Sequence, residues 1–475
     1  MRKQIIIVGC MFLLLNACFS RKEVQESKPN FIIIFTDDQG YQDLGCFGSP
    51  NIKTPNIDKM ATEGMKLTSF YAQTVCGPSR AALMTGSYPM RNARNDEGEV
   101  PHPKLSLSEV TIAEVLKPVG YSTKMIGKWD LAGHNPEQFN PDLLPIHQGF
   151  DESFFTPTSN DARVHLIRNE EVVELHADMS TLTERYTDEA IDFINKNKEQ
   201  PFFLYLAHTM PHTKLAVSDA YRGKSEGGLY GDVIEEIDFN VGRLLKQLKE
   251  NGLDENTYVI FTSDNGPWWI KGKHAGHAEP LRGAKTSAWE GGSRVPFIIR
   301  APGKVPAGTS SNLVTATIDL LPTIAKLAGA KVPTDRVIDG LDISDIIHGK
   351  SKDLIRPFFY YQHQELRAVR QGKWKLHLAH HPNPKSIVYK KWPNHIAPKD
   401  RVLFTNPMLY NLENDIAETT DVAADYPEVV AELSKLLEWA KEDIGDFEKR
   451  GKNARPLGNE PYFTPNDMIP INKIK

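Results

Sequence analysis

Residues 31–38 read Phe31-Ile32-Ile33-Ile34-Phe35-Thr36-Asp37-Asp38. An unbroken apolar run, without the alternation of a half-exposed strand, predicts a β-strand buried on both faces. Strands of that kind belong to parallel sheets covered by helices on each side. In open α/β sheets ligands bind just beyond the carboxyl ends of the strands, so the two aspartates that follow are candidate site residues. The pattern recurs. Candidate strands at Thr123–Ile126, Phe202–Leu206 and Val259–Thr262 lead into Gly127-Lys128-Trp129-Asp130, into His208 and Pro211-His212, and into Ser263-Asp264-Asn265-Gly266. Phe297–Ile299 is a further strand. Amphipathic helices near 107–117, 184–197, 232–250 and 318–328 alternate with them. This order predicts an α/β fold with a large, mostly parallel central sheet flanked by helices.

Around residues 350–356 the pattern changes. Phe358–Tyr361, Arg367–Arg370 and Trp374–Leu378 read as short antiparallel strands, and Glu428–Lys441 as a helix. The expectation is a smaller C-terminal α+β subdomain over 353–475, after a main domain over 29–352.

The N-terminus reads as a targeting segment. Arg2 and Lys3 precede an apolar run from Ile5 to Leu15, followed by Leu15-Asn16-Ala17-Cys18. The run is short for a membrane span. The segment resembles a bacterial lipoprotein signal over 1–18, with Cys18 lipidated after cleavage. A plain secretory signal is the alternative. Residues 19–28 are polar and read as a tether. The expected location is therefore the periplasm or the outer-membrane or cell surface, with the lipid as membrane contact. Of the four cysteines only Cys46 and Cys76 fall in the folded body, so it can hold at most one disulfide. A chain of 475 residues with a formal net charge of -5 is large enough to be stable without one, and too acidic for general nucleic-acid binding. An anionic substrate therefore needs a local cluster of cations.

Asp37, Asp38, Asp264 and Asn265 offer only oxygen ligands, a set for Ca²⁺, or alternatively Mg²⁺, and not for zinc. One such pair alone reads equally as a turn or helix cap. Two pairs, each behind a buried strand, point to a metal. Cys76 precedes Gly77-Pro78-Ser79-Arg80. Proline favours the first helical position, so a helix beginning at Pro78 would aim its N–H groups and positive end at residue 76. Arg80 can reach back toward the same point. The thiol itself could be a disulfide half, a core residue or a reactive centre.

Cys76-Gly77-Pro78-Ser79-Arg80, with Leu83, Thr85 and Gly86 after it, resembles the signature of the type I sulfatases, in the alkaline-phosphatase-like superfamily. The likeness runs in order over most of residues 30–440. It implies that a maturation enzyme converts Cys76 to formylglycine (3-oxoalanine) during export. It also implies that Asp37, Asp38, Asp264 and Asn265 bind calcium together with residue 76, and that Arg80 holds the hydrated aldehyde. Lys128 and Lys285 are the implied sulfate-binding lysines, and His212 or Lys285 the acid for the leaving oxygen. One hydroxyl of the hydrate would attack sulfur, and the other would later expel sulfate. The expected reaction is hydrolysis of a sulfate ester, on a sulfated saccharide given the export signal. One position departs from the pattern. The family usually reads Gly-Lys-Trp-His-Leu-Gly, and this chain has Asp130 where that histidine stands. Asp130, with His134 as a stand-in, either takes the hydrate proton or braces Lys128 or the sugar.

Asn160, Asp161, Arg163, His208, Trp268, Trp269, His274 and His277 fall in segments expected to rim the pocket, where the paired tryptophans either stack on a sugar or pack under the loop. Two rival readings remain at this level: a phosphate or phosphonate ester hydrolase of the same superfamily, and a catalytically silent glycan-binding lipoprotein.

Overall fold

The quoted apolar run forms the heart of the strand Asn30–Thr36, which is buried along its whole length. In the computed structural model, which describes residues 28–93, 105–161, 163–379, 405–457 and 469–474, this strand lies inside a ten-stranded sheet. The expected signal 1–18, with Cys18, and all but the end of the tether fall outside the described residues.

Across the sheet the order is Thr309–Ser311, Met65–Leu67, Phe297–Arg300, Thr257–Ser263, Asn30–Thr36, Phe202–Ala207, Ser122–Lys128, Glu152–Thr156, Leu166–Arg168 and Glu171–Glu174. The five strands from Thr257–Ser263 to Glu152–Thr156 are parallel. Antiparallel neighbours on both sides make the sheet mixed. Register aligns the carboxyl ends, with Thr36 opposite Ser263, Phe35 opposite Ala207, and Gly127 also opposite Ala207.

Side chains of the first strand alternate between two apolar layers. Phe31, Ile33 and Phe35 pack with Leu83, Met84, Leu321 and Ile324, from the helices Cys76–Thr85 and Leu320–Ala328. Ile32 and Ile34 pack with Tyr186, Phe193, Ile237 and Leu244, from the helices Leu182–Lys196 and Gly228–Glu250. Each such large apolar side chain contributes about 1.5–3 kcal/mol on burial. Burial from both sides is why no polar residue interrupts the run.

A separate antiparallel sheet orders Pro357–Gln362, Glu365–Gln371, Trp374–His377 and Met408–Asn411, and the helix Pro427–Asp443 packs on it. The expected α/β fold with a C-terminal antiparallel sheet is thus borne out. The further strand, Phe297–Arg300, runs antiparallel to its neighbours. Two local expectations change. The helix expected over 107–117 is only Ile112–Leu116, started by a capping box between Thr111 and Glu114. The helix expected from Pro78 begins at Cys76, which places that residue inside the first turn.

Candidate active site

Several strands end at one place. Asp37 and Asp38 follow Thr36, Asp264 and Asn265 follow Ser263, and Lys128 is itself the last residue of its strand. His212 comes from the segment after Ala207, and Cys76 from the N-terminus of its helix. Gly127 makes this convergence possible. Its φ is 95°, and a Cβ there would stand 1.8 Å from the Ala207 carbonyl oxygen, so only glycine fits beside that strand.

Ligating atoms of Asp37, Asp38, Cys76 and His212 lie within 4.8 Å of one another, and all four residues are buried. Cys76 Sγ is 3.2 Å from Asp37 Oδ1 and 3.7 Å from Asp38 Oδ1. Lys285 Nζ reaches the same sulfur at 3.0 Å and Asp38 Oδ1 at 2.5 Å. Lys128 Nζ pairs with Asp37 Oδ2 at 2.7 Å. Arg80 Nη2 pairs with Asp264 Oδ2 at 2.7 Å and stands 3.7 Å from Asp37 Oδ2, while its Nη1 donates to the Lys128 carbonyl at 3.0 Å. Asp264 Oδ1 accepts the Asp38 N–H, and Asn265 Nδ2 donates to Asp38 Oδ1. Ser79 Oγ donates to the Asp264 carbonyl, which ties the helix start to the carboxylate strand.

Burial alone would push the Asp37 carboxyl upward, but Lys128, His212 and Arg80 hold it well below the ordinary carboxylate range. Asp264 behaves differently: burial and the neighbouring Asp37 push it up to about 7, against Arg80. Burial, with Asp264 and Asp37 nearby, lifts the Cys76 thiol well above its usual value. This environment disfavours the thiolate, the nucleophilic form of the side chain.

The oxygen donors of this centre fit a hard divalent cation. Asp38 Oδ2 and Asn265 Oδ1 are buried and accept no hydrogen bond among the described residues, although His212 Nε2 stands 3.6 Å from the former. Buried oxygens left in this way are costly unless something positive meets them. Three cationic side chains, Arg80, Lys128 and Lys285, face four carboxylates, Asp37, Asp38, Asp130 and Asp264. A divalent cation held here would turn this net anionic centre into a net cationic one, as an anionic substrate requires.

Asn160 orients His212. Its Nδ2 donates to the carbonyls of His212 and Lys214, both at 2.9 Å, so Oδ1 must be the atom facing His212 Nδ1 at 3.0 Å. An amide oxygen can only accept, so Nδ1 carries hydrogen and Nε2 faces the carboxylates. Ser159 Oγ also lies 2.9 Å from Nδ1. Burial lowers the His212 pKa, partly offset by Asp38 and Asp37. Trp268 covers this side, its ring 5.3 Å from the His212 ring and 4.7 Å from Lys285 Nζ.

Asp130 has a left-handed φ of 57° that turns its side chain back to the centre. Its Oδ1 lies 2.7 Å from His134 Nδ1, and its Oδ2 lies 3.7 Å from Lys128 Nζ. Burial opposes the charge, but His134 and Lys128 hold the carboxyl well below its usual range.

The structure thus brings together Asp37, Asp38, Cys76, Arg80, Lys128, Asp130, His212, Asp264, Asn265 and Lys285. The rim expectations divide. Trp268 lines the site, and Asn160 lies buried behind His212. His208 is not at the rim: it is buried near Tyr186, and burial depresses its pKa to about 4. His277 turns to Asp43, with Nδ1 3.4 Å from Oδ1. Trp269 and His274 bound a short helical turn, and Asp161 and Arg163 are exposed. Cys46 and Cys76 are both free thiols. Sequence reasoning missed Ser159 and the tie from Ser79, for which adjacency to Asn160 and Arg80 was the available signal.

A buried polar centre at the carboxyl edge of a mostly parallel sheet is where open α/β enzymes place their catalytic groups. Comparison with known proteins narrows the class. Residues 29–330 match the sulfatase family model, and residues 354–460 match the C-terminal region of aryl-sulfatase. Mouse N-acetylgalactosamine-6-sulfatase is 41% identical over 386 residues, covering 74% of this chain and 72% of the relative. Dog arylsulfatase G is 32% identical, covering 98% of this chain and 95% of the relative. A solved sulfatase structure described under the metabolism of multiple glycosaminoglycans by Bacteroides thetaiotaomicron superposes with a TM-score of 0.76 at 29% identity, covering 88% of this chain and all of that one. The chain belongs to the sulfatase family and is a sulfuric ester hydrolase.

Proposed function

We propose that the enzyme removes sulfate from a carbohydrate, using a formylglycine formed from Cys76 and a bound Ca²⁺ ion, or Mg²⁺ in its place. The observation that carries the reading is Cys76 at a helix N-terminus, packed between the Asp37–Asp38 carboxylates and the Lys285 ammonium. A protonated, buried thiol has no evident task there, whereas an aldehyde hydrate would meet acceptors and a donor at once. Asp37, Asp38, Asp264 and Asn265, with residue 76, would hold the ion, and Asp38 Oδ2 and Asn265 Oδ1 are the oxygens best suited to it. The ion and the modified residue would supply, respectively, positive charge and a nucleophilic hydroxyl.

The chain's other side chains divide the remaining work. Lys128 and Lys285 offset negative charge on the sulfate oxygens, and Arg80 holds the Asp264 carboxylate and the Lys128 backbone in place. His212, with Nδ1–H held by Asn160, would serve as acid at Nε2 only as the doubly protonated imidazolium, a form that Asp38 and Asp37 favour against burial; Lys285 Nζ is the donor that already carries its proton. Asp130, kept ionised and held by His134, either takes the hydrate proton at Oδ2 or braces Lys128 or the sugar. The relatives that act on N-acetylgalactosamine or belong to glycosaminoglycan metabolism make a 6-O-sulfated amino sugar the first substrate to try. The N-terminal segment supports a lipid anchor at Cys18 and a periplasmic or surface location.

The test uses enzyme co-expressed with a maturation system. It should release sulfate from an aryl sulfate far faster than phosphate from the matching aryl phosphate. Cys76→Ala and chelation should each abolish turnover, and calcium should restore it to the chelated enzyme better than zinc. Undiminished activity in metal-free protein would contradict the proposal.

A further inference from the structure

Beyond the catalytic centre, a cavity of about 540 Å³ opens between Asn135, Glu137, Arg163, His165, Leu175 and Asn472. Its size falls in the roughly 300–1,000 Å³ range of small-molecule sites. Two of the four chain segments that line it lead away from the centre. One runs on from Asp130 and His134 into Asn135–Gln138. The other runs on from Ser159 and Asn160, which hold His212, to Arg163 and His165.

Strand register puts the cavity on the catalytic edge of the sheet. Lys128 lies opposite Thr156, Phe155 opposite Ile167, and Leu166 opposite Glu174. His165 and Leu175 therefore project past the same edge as Lys128. The strand Leu166–Arg168 is two places from Ser122–Lys128, so the cavity begins roughly 10 Å along the edge from the lysine's strand.

The lining has a mixed chemistry. Arg163 is 70% exposed, and its Nη1 stands 3.9 Å from Glu137 Oε1, too long for a firm hydrogen bond. Glu137 is shared with the buried ring of His165, 3.4 Å away. Asn135, Gln138 and Asn472 add amides, and Leu175, 49% exposed, adds an apolar platform. Planar groups that make paired hydrogen bonds suit vicinal hydroxyls, and the apolar side chain suits the C–H face of a sugar ring. A guanidinium fork suits a carboxylate or sulfate.

We infer that this cavity is a second saccharide subsite, which binds a further unit of an acidic oligosaccharide while the sulfated unit sits at residue 76. The inference rests on the carbohydrate reading above and extends it to substrate length. Arg163 pairs with the acidic group of that unit, and Leu175 stacks on its ring.

The full-length matured enzyme is assayed on N-acetylgalactosamine 6-sulfate and on a chondroitin 6-sulfate oligosaccharide ending in that sugar. The wild type should favour the oligosaccharide in kcat/KM by about tenfold or more, and Arg163→Ala and Leu175→Asp should each shrink that preference by about fivefold. Both positions are exposed, so the thermal midpoint should not move. A second readout is calorimetric binding of the desulfated oligosaccharide, which Arg163→Ala should weaken. Turnover of both sugars with the same preference in wild type and variants overturns the subsite and leaves the carbohydrate reading intact. Turnover of an aryl sulfate but of neither sugar, nor of any member of a panel of sulfated mono- and disaccharides, overturns both.

Discussion

Lys128 and Lys285 reach the centre from separate segments, one as the last residue of a parallel strand and one from the loop before Trp289, and each pairs with a different aspartate. Burial disfavours charge on both, yet the carboxylates raise both pKa values, so they stay cationic across the working range. Lys128→Ala and Lys285→Ala should each lower kcat/KM by about 3–4 kcal/mol in transition-state terms, the scale of a lost electrostatic donor. The loss should be the same for every sulfated substrate tested. A loss confined to one sugar class would show that the lysine reads the glycan. Asp130 makes a separate prediction. Asp130→Asn keeps the shape and the His134 contact but cannot take a proton. If the carboxylate serves sulfate release, rapid mixing should show one equivalent of alcohol in a burst and then slow turnover. A slow first turnover would place Asp130 before bond cleavage.

At the scale of elements, the site depends on strands ending in register, and Gly127 is where that is most sensitive. An added Cβ meets the Ala207 carbonyl, and the left-handed φ adds backbone strain. Gly127→Ala should destabilise the protein by at least about 2 kcal/mol in chemical denaturation. It should also displace Lys128, so activity should fall further than stability alone accounts for. The strands that build the centre were legible because burial on both faces leaves an uninterrupted apolar run and the chain turns polar where the sheet ends. Phe31–Phe35 and Val259–Thr262 show this most plainly. Outer strands carry less signal. Thr309–Ser311 is polar, and Leu166–Arg168 with Glu171–Glu174 is a partly exposed hairpin turning at Asn169, whose φ is positive. The capping box of Thr111 and Glu114 marked a later helix start than apolar periodicity alone. Which residues would gather at the centre followed from strand ends and from the family signature together. His208 and His277 show the limit of that logic: position after a strand does not say whether a side chain faces the site, the core or another partner.

Across the whole molecule, the C-terminal sheet is joined to the main domain through buried charge as well as apolar packing. Glu290, just before Gly291-Gly292, accepts hydrogen bonds from Tyr71, Tyr360 and Lys375. Lys375 also pairs with Glu418 at 2.8 Å, and Glu418 accepts from the Glu290 N–H. Removing one member leaves buried charges unpaired, so Lys375→Met should cost about 3–5 kcal/mol and lower the thermal midpoint. An unchanged midpoint would mean that the docking of the C-terminal sheet on the main domain does not depend on this network. At the catalytic centre the proposed reaction turns on the chemical state of residue 76. The most direct measurement is the mass of the Cys76-containing peptide from fully active protein. That peptide should be lighter than its sequence by about the mass of one water molecule and should react with a carbonyl reagent. An unmodified cysteine at position 76 in protein of full activity would contradict the account.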